Sequence, residues 1–330
     1  MLHPSHSTLR RCAASVIVAA VMASSFAARA ADAWPTRQIA IVVPAPPGGG
    51  VDTVGRIVAQ QLSTQLGVAV IVENRAGAGG VVGARHVKSS KPDGYTLQLN
   101  ANHQIVNPMI RSSAGYDAAQ DFEAVTMIGR VPLAVFVSEN SPYKTIGDLF
   151  AAARKKPEEL NWANSSTGTA GHMATELLRS VGEVNMPIIK YNGGAPELNT
   201  VMGEQVTEIV EPLTTVLPQL SGGKLRVLAV TSANRVSQLP NVPTVAESGF
   251  PGFEINSWYG IWAPKGTPME VRQRLANEVH AAIEVPAVKA RFQATSFEPV
   301  GSSPTEFEAF LKQQTALYQA LVDKAHIRVD

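Results

Sequence analysis

The chain has 330 residues, 28 Lys and Arg against 27 Asp and Glu, and one cysteine, Cys12. A near-neutral balance without a basic run excludes a nucleic-acid-binding face, and a lone cysteine excludes a disulfide framework or a cysteine-based zinc site. Beyond the first thirty residues, about 300 remain, enough for two domains with cores of their own.

Residues 1–30 read as an address. Arg10-Arg11 precedes an apolar run over 12–26, and Ala28-Arg29-Ala30 supplies a small-residue cleavage site, with Ala31-Asp32-Ala33 as a second. The run is shorter than a membrane span. Export follows, with 1–30 removed as a signal peptide and a mature protein free in the periplasm. Cleavage takes away Cys12 and three arginines, leaving 25 basic residues (28 less three) against 27 acidic.

From residue 34 onward, short apolar strands alternate with amphipathic helices across Gly/Pro turns, the pattern of an α/β architecture. The first strand, expected over 38–43, runs into Pro46-Pro47-Gly48-Gly49-Gly50. A helix over 51–66 follows, with Val54, Ile57, Val58, Leu62 and Leu66 on one face. Glycine removes the Cβ that keeps a ligand off the backbone, so this junction offers bare N–H groups and a positive helix end to an anion. The loop lacks a Gly-Lys-Ser/Thr ending and is not a phosphate-transfer loop. A strand over 68–72 leads to a second glycine-rich turn, Gly77–Gly83, and a helix over 81–88. Val82 stands where a dinucleotide fingerprint needs glycine, so tight helix–strand packing is the expected role there.

Strands over 95–99 and 133–137, then a helix over 146–155 behind Thr145, lead to Asn161-Trp-Ala-Asn-Ser-Ser-Thr-Gly-Thr-Ala-Gly-His172. A short strand again meets small hydroxyl and glycine residues, then a helix over 169–181. A plain N-cap accounts for one hydroxyl but not for the cluster Ser165, Ser166, Thr167 and Thr169 around Gly168, so a second anion-ready helix start is expected. His172 and Glu176 have the spacing of a two-ligand metal face without a third ligand segment; a capping histidine is expected, with no metal and no cofactor. A strand over 187–190 ends at Tyr191, and one over 206–210 ends at Glu211, positions at which open α/β sheets bind ligands. A core tyrosine and a solvated or structurally paired carboxylate are the structural alternatives. Helices over 195–202, 268–284 and 304–323 and strands over 225–230 and 259–263 complete the pattern. No G-x-S-x-G elbow occurs, which argues against a hydrolase.

In order, the chain carries Pro44-x-Pro-Pro-Gly-Gly-Gly-x-Asp52, Glu73-Asn-Arg-x-Gly-Ala-Gly-Gly80, Lys91-Pro-Asp-Gly-Tyr95, Gly168-Thr-x-x-His172, Tyr191-x-Gly-x-Ala-Pro196, Leu239-Pro-x-Val-Pro-Thr-Val-Ala-Glu-Ser-Gly249 and Trp258-Tyr-Gly-Ile-Trp-Ala-Pro-Lys-Gly-Thr267. In these it resembles the Bug family, extracytoplasmic solute receptors of tripartite tricarboxylate transporters, over essentially the whole mature length. The resemblance implies a periplasmic binding protein type II fold, two α/β domains joined by hinge strands with a ligand cleft between them. Domain 1 is then 31–134 plus 257–330, domain 2 is 135–256, and the crossings fall near 131–136 and 257–261. It implies a small organic carboxylate held by Pro47, Gly48, Gly49, Gly50 and Asp52, by Ser165, Ser166, Gly168, Thr169 and His172, and by Tyr191 and Glu211. The receptor, a monomer and no enzyme, would hand its ligand to membrane transporter subunits. Ala45, Ser166, Asn192, Thr207 and Glu211 depart from the usual pattern, and Glu211 would repel a second ligand carboxylate unless it met an ammonium. A ligand-presenting sensor for a receptor kinase uses the same clamp and is the alternative reading, with a periplasmic hydrolase behind it.

Overall fold

The structure, a computed structural model, describes residues 34–191 and 194–329; the expected signal peptide and Asn192 lie outside the described residues. In chain order the elements are β1 (Ile39–Val43), α1 (Gly50–Leu66), β2 (Val70–Asn74), α2 (Val81–Lys88), β3 (Thr96–Asn100), α3 (His103–Ile110), β4 (Phe122–Ser138), α4 (Ile146–Lys155), β5 (Trp162–Asn164) and α5 (Ala170–Gly182). They continue as β6 (Ile188–Lys190), α6 (Gly194–Met202), β7 (Glu208–Pro212), α7 (Leu213–Leu220), β8 (Leu225–Val230), β9 (Asn256–Pro264), α8 (Met269–Glu284), α9 (Pro286–Gln293), β10 (Glu298–Pro299) and α10 (Pro304–Lys324).

β1 pairs in parallel with β2 and β3, and β9 lies antiparallel between β3 and β4. β4 then serves two sheets. Residues 122–132 pair with β9, while 133–138 lie antiparallel between β7 and β8. β5 continues the second sheet, parallel to both β7 and β6.

Both faces of β1 are covered, as a parallel strand requires. Ile39, Ile41 and Val43 pack with Val54, Ile57, Val58 and Leu62 of α1, while Val42 faces the cluster that holds Trp262 and Phe307. Gly260 makes room for that cluster, because a Cβ there would lie 2.2 Å from Phe307 Cζ. The second sheet is covered by Phe150, Met173 and Leu178 on one side and by Leu198, Val201 and Leu213 on the other. Capping boxes at Thr145/Asp148 and Ser303/Glu306 open α4 and α10, each contributing about 1 kcal/mol. The turn at 77–83 is a packing device. A Cβ on Gly83 would lie 2.7 Å from Pro44 Cβ and 3.1 Å from the Arg75 carbonyl.

Candidate functional site

After β1 the chain turns through Pro46 and Pro47 into α1, with Pro47, Gly48 and Gly49 exposed. Gly48 is held at φ +87°, a left-handed conformation that favours glycine. Gly49 caps α1 with extended backbone and no side-chain hydrogen bond. The N–H groups of Gly50, Val51 and Asp52 thus begin a helix without helical partners. Asp52 itself turns away from them: it is 3% exposed, and its carboxylate accepts from Gly48 N (2.9 Å), Arg56 Nε (2.9 Å) and Asn74 Nδ2 (2.8 Å). Burial pushes its pKa up, but hydrogen bonds from Arg56, Gly48 and Asn74 outweigh burial and leave it below the ordinary carboxylate value. A Cβ on Gly50 would sit 2.7 Å from Tyr259 Oη and 3.4 Å from Thr214 Oγ1. Tyr259 comes from β9 and Thr214 from the first turn of α7, so the first loop meets the end of the second sheet here.

The loop after β5 is built differently. Gly168 is also at φ +87°, and a Cβ there would lie 2.9 Å from Ile110 Cδ1 on α3. Ser166 N donates to Asn164 Oδ1 at 3.0 Å and Gly168 N to His172 Nδ1 at 3.1 Å. Thr169 caps α5: its Oγ1 accepts from His172 N at 3.1 Å and donates to the Ser166 carbonyl at 3.0 Å. His172 is thus a capping histidine, neutral because burial, then Lys190 and Arg179, pull its pKa down to about 4. Its Nε2 lies 3.7 Å from Glu176, which is paired with Arg179 at 3.0 Å. Asn102 reaches across from the turn after β3, its Nδ2 donating to the Gly168 carbonyl at 2.9 Å. Tyr191 is half-buried at the end of β6, and its N–H donates to the Asn164 carbonyl at 2.8 Å.

Glu211, on β7, is 5% exposed and accepts from Ser165 Oγ at 2.7 Å. Beside it lies Glu197 of α6, fully buried, with neither oxygen in a hydrogen bond of good geometry. Burial first, then the Glu211 charge, raises the Glu197 pKa to about 11. Burial also raises Glu211, against the opposing pull of Ser165 and Glu197. The Tyr259 phenol is raised by burial and by the Glu211 charge, against Ser257 and Thr214. Gly50, Tyr259, Thr214, Glu211, Ser165 and Glu197 thereby form one continuous cluster between the two loops.

Asn102, Glu197, Thr214 and Tyr259 were not among the residues expected from sequence. Glu197 carried a signal, an acid followed at once by the apolar Leu198 and with Val201 one turn on. A separate groove of about 590 Å³ lies behind the second loop, between α5, β6 and residues 325–328, and shares with it only Thr167 and His172. Among the described residues, no group of three or more His, Cys, Asp or Glu is placed to hold a metal, and no helix is long and apolar enough to cross a membrane.

The profile of the tripartite tricarboxylate transporter family receptor matches residues 54–327. Protein BugT of Bordetella pertussis is 34% identical over 296 residues, covering 88% of this chain and 90% of BugT. The structure of R. palustris Rpa4515 with adipate matches at a TM-score of 0.84 with 34% identity, covering 89% of this chain and 99% of that one. MatC from Rhodopseudomonas palustris with bound malate matches at 0.78 with 25% identity, covering 88% of this chain and all of that one.

Proposed function

Because the chain belongs to the tripartite tricarboxylate transporter receptor family, we propose that it captures a small organic carboxylate in the periplasm by clamp closure and delivers it to membrane transporter subunits. The family is one of solute-binding proteins and not of enzymes, and the fold is the mixed α/β fold of periplasmic binding proteins. Two of the solved relatives hold the carboxylates adipate and malate. The leader is removed after Ala30, with Ala33 as the second site. The clamp consists of 31–134 with 257–330 as one lobe and 135–256 as the other, connected through β4 and β9.

The observation that carries this reading is the uncapped start of α1. A helix N-terminus acts as about half a positive charge. Each charge-assisted hydrogen bond contributes about 1.5–3 kcal/mol, and micromolar affinity needs about 8 kcal/mol, so three or four such bonds suffice without a metal. A ligand that touches both lobes only when they meet shifts the population toward the closed form, and that form is what the transporter subunits recognise.

A thermal-shift screen over carboxylates, amino acids, aromatic acids and neutral sugars tests the proposal. A bound carboxylate at about 100 times its Kd stabilises the protein by about 2.7 kcal/mol, and the shift survives a chelator. A shift produced by neutral sugars alone would overturn it.

A further inference from the structure

The wall of the cleft formed by β7, α6 and the second loop is richer in acceptors than a simple carboxylate receptor needs. Ser165 commits its one hydroxyl proton to Glu211, so its oxygen has only lone pairs left to offer. Glu197 lies fully buried behind Glu211 and has no well-formed hydrogen bond of its own. Burial, one another and Ser165 are the influences on this pair, and among the described residues no Lys or Arg acts on either carboxyl. The Thr214 hydroxyl, 3.4 Å from the position of a Cβ on Gly50, is buried and makes no well-formed hydrogen bond. The cluster therefore has acceptors, a buried acid pair and no cation.

Resting on the clamp reading above, we propose that Glu211, backed by Glu197, seats a ligand ammonium group, and that the solute is an amino-carboxylic acid. Its carboxylate docks on the N–H groups of Gly50–Asp52 and its ammonium on Glu211. An ammonium brings three donors and no acceptor, which matches Glu211, the Ser165 lone pairs and Thr214 Oγ1. A dicarboxylate would place its second charge against a buried acid pair with no cation to balance it, an arrangement that burial penalises heavily. Thr214 Oγ1 and Tyr259 Oη, 3.4 and 2.7 Å from where a Gly50 Cβ would stand, lie between the two docking points.

Calorimetric titration of the mature protein with matched pairs isolates the far group: succinate against 4-aminobutyrate, glutarate against 5-aminovalerate, and adipate against 6-aminohexanoate. At least one amino-carboxylate is expected to bind tenfold or more tightly than its dicarboxylate partner. Glu211→Gln keeps the shape and removes the charge, and is expected to erase that preference without lowering the Tm of the free protein. If the dicarboxylates bind as tightly as their amino counterparts, or if Glu211→Gln leaves the preference unchanged, the ammonium site is wrong and the carboxylate clamp stands. If none of these carboxylates binds, the clamp reading falls with it.

Discussion

The two glycine-bearing loops occupy matching places, at the ends of β1 and β5, and each opens a helix behind a glycine at φ +87°. They use their backbones in opposite ways. The first buries its acid, Asp52, behind the loop and leaves the start of α1 uncapped. The second ties up the N–H groups of Ser166, Gly168 and His172 with Asn164, His172 and Thr169, and offers hydroxyl oxygens and Glu211 instead. Similar sequences at equivalent turns can thus make one donor wall and one acceptor wall. What separates them is whether a side chain within reach satisfies the backbone or leaves it open. An unsymmetrical cleft fixes the orientation of its ligand as well as its charge.

The largest effects should come from glycines that test this contrast directly. At Gly49 the backbone is extended, and the nearest atom to an added Cβ is the Pro46 carbonyl at 3.9 Å, so a side chain fits the fold but covers the N–H groups. Gly49→Val is expected to weaken carboxylate binding at least a hundredfold, about 2.7 kcal/mol, with the Tm of the free protein within a few degrees of wild type. At Gly168 the same change meets a left-handed backbone and Ile110 Cδ1 at 2.9 Å. Gly168→Val is expected to destabilise the protein by about 2–4 kcal/mol, measured by urea unfolding, from backbone strain and overpacking together. If Gly49→Val lowered stability as much as binding, the first loop would be a structural element like the second.

Acid separates the loops next. His172 has a folded pKa of about 4 against an ordinary value of 6.5, so the unfolded chain takes up the proton that the folded second loop refuses. Its stabilising contribution is complete above pH 6.5 and falls as pH drops toward 4, with about 2 kcal/mol gone by pH 5. Asp52 behaves differently: its folded pKa lies below the ordinary 3.8, so the first loop keeps its support down to about pH 3.8 and loses it only between there and the lower folded value. Urea unfolding at pH 7 and pH 5 should show a change in wild type about 2 kcal/mol less favourable than that in His172→Asn, whose amide oxygen can still accept from Gly168 N. An equal change in both proteins would remove His172 as its source. The raised carboxyls of Glu197, Glu208 and Glu211 work in the opposite direction over the same window, gaining stability as pH falls toward the ordinary 4.5, and because both proteins share them they cancel in the comparison.

Much of the fold was legible because its signals are local. α2, α4 and β8 occupy the residues that periodicity and capping assign to them, and Thr145 and Ser303 open their helices as capping boxes. The first half of β4 was hidden by two bulges, between Ala124 and Thr126 and between Met127 and Gly129, which break the alternation of a strand. α3 and α7 carry Pro108 and Pro218 inside them and read as punctuation, and α9 is only weakly amphipathic. The site divides the same way. Its glycines and hydroxyls lie in contiguous motifs, whereas Tyr259, Thr214 and Glu197 reach it from three separate elements. Tyr259 reaches Glu211 only because β4 pairs with β7 in one sheet and with β9 in the other, and no local pattern encodes that.

The smallest effect bears on the part of the contrast that motif reading leaves ambiguous, the Thr169 hydroxyl. By its position in a serine- and threonine-rich helix start it is a ligand contact. In the structure its proton goes to the Ser166 carbonyl and its oxygen accepts from His172 N, so both capacities are committed within the loop. Thr169→Val keeps the shape and deletes the cap, which costs about 1 kcal/mol of stability. If the second loop is internally satisfied, affinity for the bound carboxylate should change less than threefold while the unfolding midpoint moves. The reverse result, a tenfold loss of affinity at unchanged stability, would mean that the hydroxyl turns to the ligand on binding. The second wall would then donate as well as accept, and the donor–acceptor asymmetry between the loops would be a property of the empty cleft alone.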